Sequence, residues 1–97
     1  IIKLEGVDGT FIGPYDLSGS IGKPGEWNDP KVKEALDLYK EIAFKTEKLV
    51  GYHVIEPEHL LVQKKINEGY NFIAFSLDTI FLGSLIREEM KKLKKWE

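Results

Sequence analysis

The sequence predicts an α/β fold in which three parallel strands alternate with helices, in the order β-α-β-α-β-α. Three observations predict it. Short runs rich in β-branched and aromatic residues recur at 7–12, 52–55 and 71–76. Each is followed by a longer segment with apolar residues at three- and four-residue spacing, and proline and glycine punctuate the joins. The third run, from Asn71 to Ser76, is nearly continuously apolar, the pattern of a parallel strand covered on both faces.

The first strand, Val7 to Ile12, stops at Gly13-Pro14. Asp29 then supplies an N-cap, with Pro30 at the first helical position. Val32, Ala35, Leu36, Tyr39, Ile42, Ala43, Thr46 and Leu49 line one face and predict a helix to about Leu49, with Gly51 as its C-terminal stop. Tyr52 to Ile55 is the second strand. Glu56-Pro57 opens the second helix, which carries Leu60, Leu61 and Ile66 and ends at Gly69. After the third strand, Asp78-Thr79 leads a final helix through Leu82, Leu85, Ile86, Met90, Leu93 and Trp96. Lys91, Lys92, Lys94 and Lys95 crowd its end, where positive charge complements the helix dipole.

The 97 residues carry 14 Lys+Arg against 16 Asp+Glu, and that near balance argues against a nucleic-acid partner. No apolar run approaches the roughly 18–20 residues of a membrane span, and Ile1-Ile2-Lys3-Leu4-Glu5 lacks the pattern from which a signal peptide would be expected. A cytoplasmic protein without membrane contact is expected. The absence of cysteine excludes disulfides, thiolate zinc sites and cysteine nucleophiles. The chain begins at Ile1 rather than Met, as a piece of a longer protein would.

Three parallel strands make a poor free-standing sheet, because both edges are open and parallel sheets are normally covered on both faces. The final helix is apolar on more than one face, since Ile80 and Phe81 lie off the main stripe. Two solutions follow: the chain assembles with copies of itself, or it is the last part of a larger (β/α)8 TIM barrel.

The segment richest in chemistry is Gly6 to Gly22. A carboxylate, Asp16, appears four residues beyond the first strand, and in a β/α barrel the carboxyl ends of the strands form the active-site face. Gly13 lets a ligand approach the backbone and Pro14 stiffens the turn. The amides of Tyr15 and Asp16 could face an anion, particularly where a helical turn begins. A carboxylate beside free amides suits Mg²⁺ or Mn²⁺ together with a small keto acid. On spacing alone a second reading stands beside this one: Asp16 as the N-cap of a short helix at Leu17 to Ser20.

The stretch Gly6-Val7-Asp8-Gly9-Thr10-Phe11-Ile12-Gly13-Pro14-Tyr15-Asp16-Leu17-Ser18, continuing to Ile21-Gly22, resembles the signature of the HpcH/HpaI aldolase family. Pro24 and Gly25 in the following loop, Pro30-Lys31-Val32 at the helix start and Glu68 to Ala74 downstream extend the resemblance over essentially the whole chain. It implies a single partial domain, residues 1–97, supplying the C-terminal three βα units of a TIM-barrel aldolase. It implies class II cleavage of 2-keto-4-hydroxy acids to pyruvate and an aldehyde through a metal-bound enolate. Asp16 then takes the place of the metal ligand for Mg²⁺, Mn²⁺ or Co²⁺. Gly13, Pro14, Tyr15 and Asp16 form the substrate-binding turn. Tyr15 departs from the family's alanine, which leaves a backbone contact intact but sets a phenol at the mouth. The remaining site residues belong upstream, so no catalytic residue is expected in this chain and the segment alone is expected to be inactive. The resemblance also implies a homo-oligomer in which the last helix contributes to subunit contacts. Two alternatives stand beside it: a citrate-lyase β-like barrel lyase, which a CoA-binding insertion upstream would identify, and a non-catalytic, self-associating remnant.

Other candidates have ordinary readings. His53 reads as a core-edge residue of the second strand and His59 as a surface residue, although Glu56 and Glu58 lie near both. Ser18 and Ser20 lack a nucleophile elbow and read as loop hydrogen-bonding groups. Gly19 to Lys23 fails the phosphate-loop spacing because Pro24 follows the lysine. Trp27 reads as packing over the loop.

Overall fold

Three strands form one sheet in the order β1 (Gly9–Ile12), β2 (Leu49–Val54), β3 (Phe72–Phe75), and both pairings are parallel. This computed structural model describes residues 1–93; the expectations for Lys94, Lys95 and Trp96 lie outside them. Four helices intervene or follow: α1 (Pro14–Ser20), α2 (Pro30–Ala43), α3 (His59–Glu68) and α4 (Asp78–Lys92). The expected β-α order holds, with α1 as an added short helix directly after β1.

Local chemistry explains most boundaries. Asp29 accepts from the Lys31 amide at 2.9 Å and Pro30 opens α2. Gly69 ends α3 in the left-handed region at φ 111°, where a side chain would be strained. The expected helix to Leu49 stops instead at Ala43. There the Thr46 amide and hydroxyl both donate to the Ala43 carbonyl, at 3.0 and 2.7 Å, and turn the chain. Leu49 and Gly51 therefore belong to β2, so Gly51 is not a helix stop. A Cβ there would meet Phe11 Cδ2 at 2.6 Å and the Thr10 carbonyl at 2.8 Å, so the position needs a glycine for space. α3 begins two residues after Pro57, because Glu58 is still extended.

The core lies on one face of the sheet. Ile2, Ala43, Val50 and Tyr70 are buried there, with Tyr39, Ile42, Tyr52 and Ile73 packed against them. Alternation along the strands sends Phe11, Leu49 and Phe72 to the opposite face, where all three are exposed. The third strand is thus covered on one face only among the described residues, against the expectation of two. α4 extends away from the sheet and touches it through Phe81, whose ring stacks edge-on against Phe75 at 5.0 Å. Leu82, Leu85, Ile86 and Met90 remain exposed along it. The result is 58 × 27 × 22 Å, with a radius of gyration of 16.7 Å. A compact chain of this length would have about 12–13 Å. This is the shape of a sheet segment and an arm.

Candidate active site

The carboxyl ends of the strands converge on the turn that follows β1. Gly13 continues the extended backbone at φ −99°, ψ 110° and caps α1 without a side-chain bond, and Pro14 occupies the first helical position. Pro14 has no amide hydrogen to lose, and the Tyr15 and Asp16 amides, as the next two positions, have no acceptor within the helix. Asp16 is therefore inside the first turn. It is not the N-cap of a helix starting at Leu17, because the helix starts three residues earlier.

The Asp16 carboxylate folds back toward the strand end. A Cβ on Gly13 would come within 3.3 Å of Asp16 Oδ2. Gly13 thus serves by leaving room, since its φ is one any residue adopts. Asp16 is exposed and makes no hydrogen bond or ion pair among the described residues. The four expected site residues are together on this turn, and no set of three metal-binding side chains occurs among the described residues.

The rest of the turn is held by Ser18. Its buried hydroxyl donates to the Tyr15 carbonyl at 2.8 Å and accepts from the Gly25 amide at 3.0 Å, tying the loop after α1 to the helix. The Tyr15 ring is 56% exposed and meets Trp27 edge-on at 6.0 Å, so the phenol packs against the loop.

His53, read from the sequence as a core-edge residue, and Ser76 reach the same end of the sheet. His53 Nε2 lies 3.0 Å from the Ser76 carbonyl oxygen. Ser76 has φ 55°, the one positive φ outside glycine among the described residues. Pro14 and His53 border a single cavity of about 260 Å³, which Glu56 and Lys64 also line. Nothing in the sequence marks Ser76. The face taken by His53 depends on a strand register that periodicity did not supply.

A second polar cluster lies on the helix side of β2. Glu68 pairs with Lys40 at 3.1 Å and Lys65 at 3.0 Å. Burial works against its carboxylate, but the two lysines outweigh it and hold the pKa below the ordinary 4.5. Burial, then the Glu68 and Glu56 charges, push the Tyr52 phenol up to about 12, and burial raises Tyr70 as well. Lys65 Nζ also stands 4.3 Å above the Tyr52 ring. These contacts fasten α2 and α3 to the sheet.

No family model matches the chain. Curated relatives do: it is 30% identical over 94 residues to the 2-keto-3-deoxy-L-rhamnonate aldolase of Escherichia coli, and 32% identical over 96 residues to that of Salmonella paratyphi B. Each alignment covers 97% of this chain and 34% of the relative. A solved HpcH/HpaI aldolase/citrate lyase family protein from Burkholderia cenocepacia superposes with a TM-score of 0.83 at 26% identity, over 93% of this chain and 34% of that one. Over almost its whole length the chain is similar to proteins of the HpcH/HpaI aldolase family. It spans about a third of the length of the curated relatives it matches. The likeness of fold explains the bare sheet face, because in a TIM-barrel-like fold the inner side of each strand is covered by the other strands of the barrel. No helix among the described residues is long and apolar enough to cross a membrane.

Proposed function

We propose that the complete protein is a class II aldolase that cleaves 2-keto-4-hydroxy acids to pyruvate and an aldehyde. Residues 1–97 are one partial domain of it, the last three βα units of the barrel. The observation that carries this reading is Asp16, an unpaired carboxylate in the first turn of α1, beside free amides at the strand ends of a chain similar to HpcH/HpaI aldolases. As a hard oxygen donor it fits a divalent cation such as Mg²⁺, Mn²⁺ or Co²⁺. A single carboxylate is part of such a site, so the other ligands belong outside this segment. Bound there, the cation would supply Lewis-acid stabilisation of the negative charge that develops on the keto oxygen.

The chain's own residues position the substrate. The Tyr15 and Asp16 amides receive the keto acid's carboxylate, Gly13 leaves the space for its approach, and Pro14 holds the turn stiff. Cleavage removes the proton of the 4-hydroxyl and breaks the C3–C4 bond. The bonding pair passes to C3 and the keto group, and protonation at C3 gives pyruvate. Those proton transfers fall to residues outside this chain, so the segment alone is inactive. The exposed apolar stripe of α4 supports a homo-oligomer.

The test is Asp16→Ala in the complete protein, with metal affinity and aldol cleavage both measured. Loss of an outer-shell partner typically costs 10–100-fold, so losing a ligand should lower both by more than about 100-fold. Unchanged affinity and turnover would remove Asp16 from the site.

A further inference from the structure

We propose that Ser18 is a positioning residue, whose hydroxyl aims and strengthens the Asp16 amide that receives the keto acid's carboxylate. The inference rests on the aldolase reading and goes beyond it, since Ser18 itself touches neither cation nor substrate.

The Tyr15 carbonyl and the Asp16 amide are the two ends of one rigid, planar peptide unit. Leu17 is the first residue of α1 to donate along the helix, to the Gly13 carbonyl at 2.9 Å, so the Asp16 amide before it has no backbone acceptor. The other end of the same unit is held, because Ser18 Oγ donates to the Tyr15 carbonyl at 2.8 Å. A bond on that oxygen fixes the tilt of the plane, and with it the direction in which the amide hydrogen points.

The hydroxyl is the middle of a longer chain. It accepts from the Gly25 amide at 3.0 Å, which leaves its single hydrogen for Tyr15. The donors therefore run one way, from Gly25 through Ser18 and the Tyr15 carbonyl to the Asp16 amide. Bonds aligned like this polarise one another, each strengthening the next by about 10–30%. Ser18 is 0% exposed, so water does not compete for either bond. The loop that starts the chain is fastened too, since the Lys23 amide donates to the Ser18 carbonyl at 2.8 Å. Ser20 supplies the contrast. Its hydroxyl makes the same local bond, to the Leu17 carbonyl at 2.7 Å, but it is exposed and accepts nothing from the loop among the described residues. The peptide unit it holds ends at the Ser18 amide, inside the helix.

The experiment follows exchange of pyruvate's methyl protons for deuterium, catalysed by the complete protein in deuterium oxide with Mg²⁺. Each exchange takes a proton from C3, passes the bonding pair toward the keto group and returns a deuteron from solvent, so no aldehyde is needed. The carboxylate is held equally before and during proton transfer. Ser18→Ala should therefore raise KM for pyruvate by about three- to tenfold, the loss of one hydrogen bond, and leave kcat within about twofold. Its Mg²⁺ affinity should be unchanged, because the Asp16 carboxylate lies outside the chain of bonds. Ser18→Cys fills the same space with a weak donor, so it should raise KM nearly as much, and it covers the case in which the alanine variant misfolds. Ser20→Ala should match the wild type. A KM unmoved in folded Ser18→Ala or Ser18→Cys overturns the role of Ser18 and leaves the aldolase reading standing. So does a KM that rises in step with a loss of Mg²⁺ affinity, or that rises equally in Ser20→Ala. A wild type that exchanges no methyl protons overturns both.

Discussion

Phe11 and Phe72 stand on strands that do not pair, yet their ring centroids are 5.5 Å apart, because the strand between them presents Gly51. Any Cβ at 51 would press on Phe11 and on the carbonyls of both neighbouring strands. Backbone cannot give way cheaply, so Gly51→Ala should cost about 1–3 kcal/mol in urea unfolding of the complete protein. Gly19, in α1, has open space where a Cβ would stand, with nothing within 4 Å. Gly19→Ala should instead stabilise by roughly 0.5–1 kcal/mol, through helix propensity.

Punctuation made the fold readable. Asp29-Pro30 and Gly69 act as their residue types dictate, one capping α2 and the other ending α3. Gly51 misled for a physical reason: a glycine needed for space between strands looks the same in sequence as one needed for a helix end. The α2 stripe ran on to Leu49 because Thr46 and Leu49 keep helical spacing, while the local turn bonds from Thr46 to Ala43 carry no periodic signal. At the site, Asp16 was visible through its motif. His53 was not, since one residue of register decides whether a strand histidine meets the core or the open face.

Lys48 ties down the amino-terminal segment. Its ammonium donates to the Ile2 carbonyl at 2.6 Å and the Leu4 carbonyl at 2.7 Å, and this keeps Ile2 in the core against Val50 and Tyr70. Lys48→Met should cost about 1.5–3 kcal/mol, the range for hydrogen bonds made by a charged group. Hydrogen exchange should quicken at residues 2–5 and leave β2 unchanged. Uniform quickening would mean that Lys48 acts on the whole domain.

Glu68 makes stability depend on acid. Its folded pKa lies below the unfolded value near 4.5, so its contribution is complete above that value and is lost as pH falls through the folded one. Glu68→Gln should therefore be less stable than the wild type at about pH 7, by no more than about 1 kcal/mol for a partly exposed pair. The gap should narrow towards about pH 3, as the wild-type carboxyl takes up its proton. Urea midpoints at the two pH values check it, and a gap that widens in acid would contradict the ion-pair account.

Ser76 shows strain kept at the end of a strand. Its φ of 55° is costly for a residue with a Cβ, and its hydroxyl is buried without a partner among the described residues. Ser76→Gly removes both penalties while leaving the carbonyl that holds His53. Stability should rise by up to about 1 kcal/mol, part of the gain being offset by the greater freedom of the unfolded glycine chain. Ser76→Val, β-branched and poorly suited to positive φ, should destabilise by more than that. A more stable glycine variant in urea unfolding would show that the left-handed backbone and the buried hydroxyl are both costs the serine carries. A glycine variant no more stable than the wild type would mean that the added freedom of its unfolded chain cancels that relief.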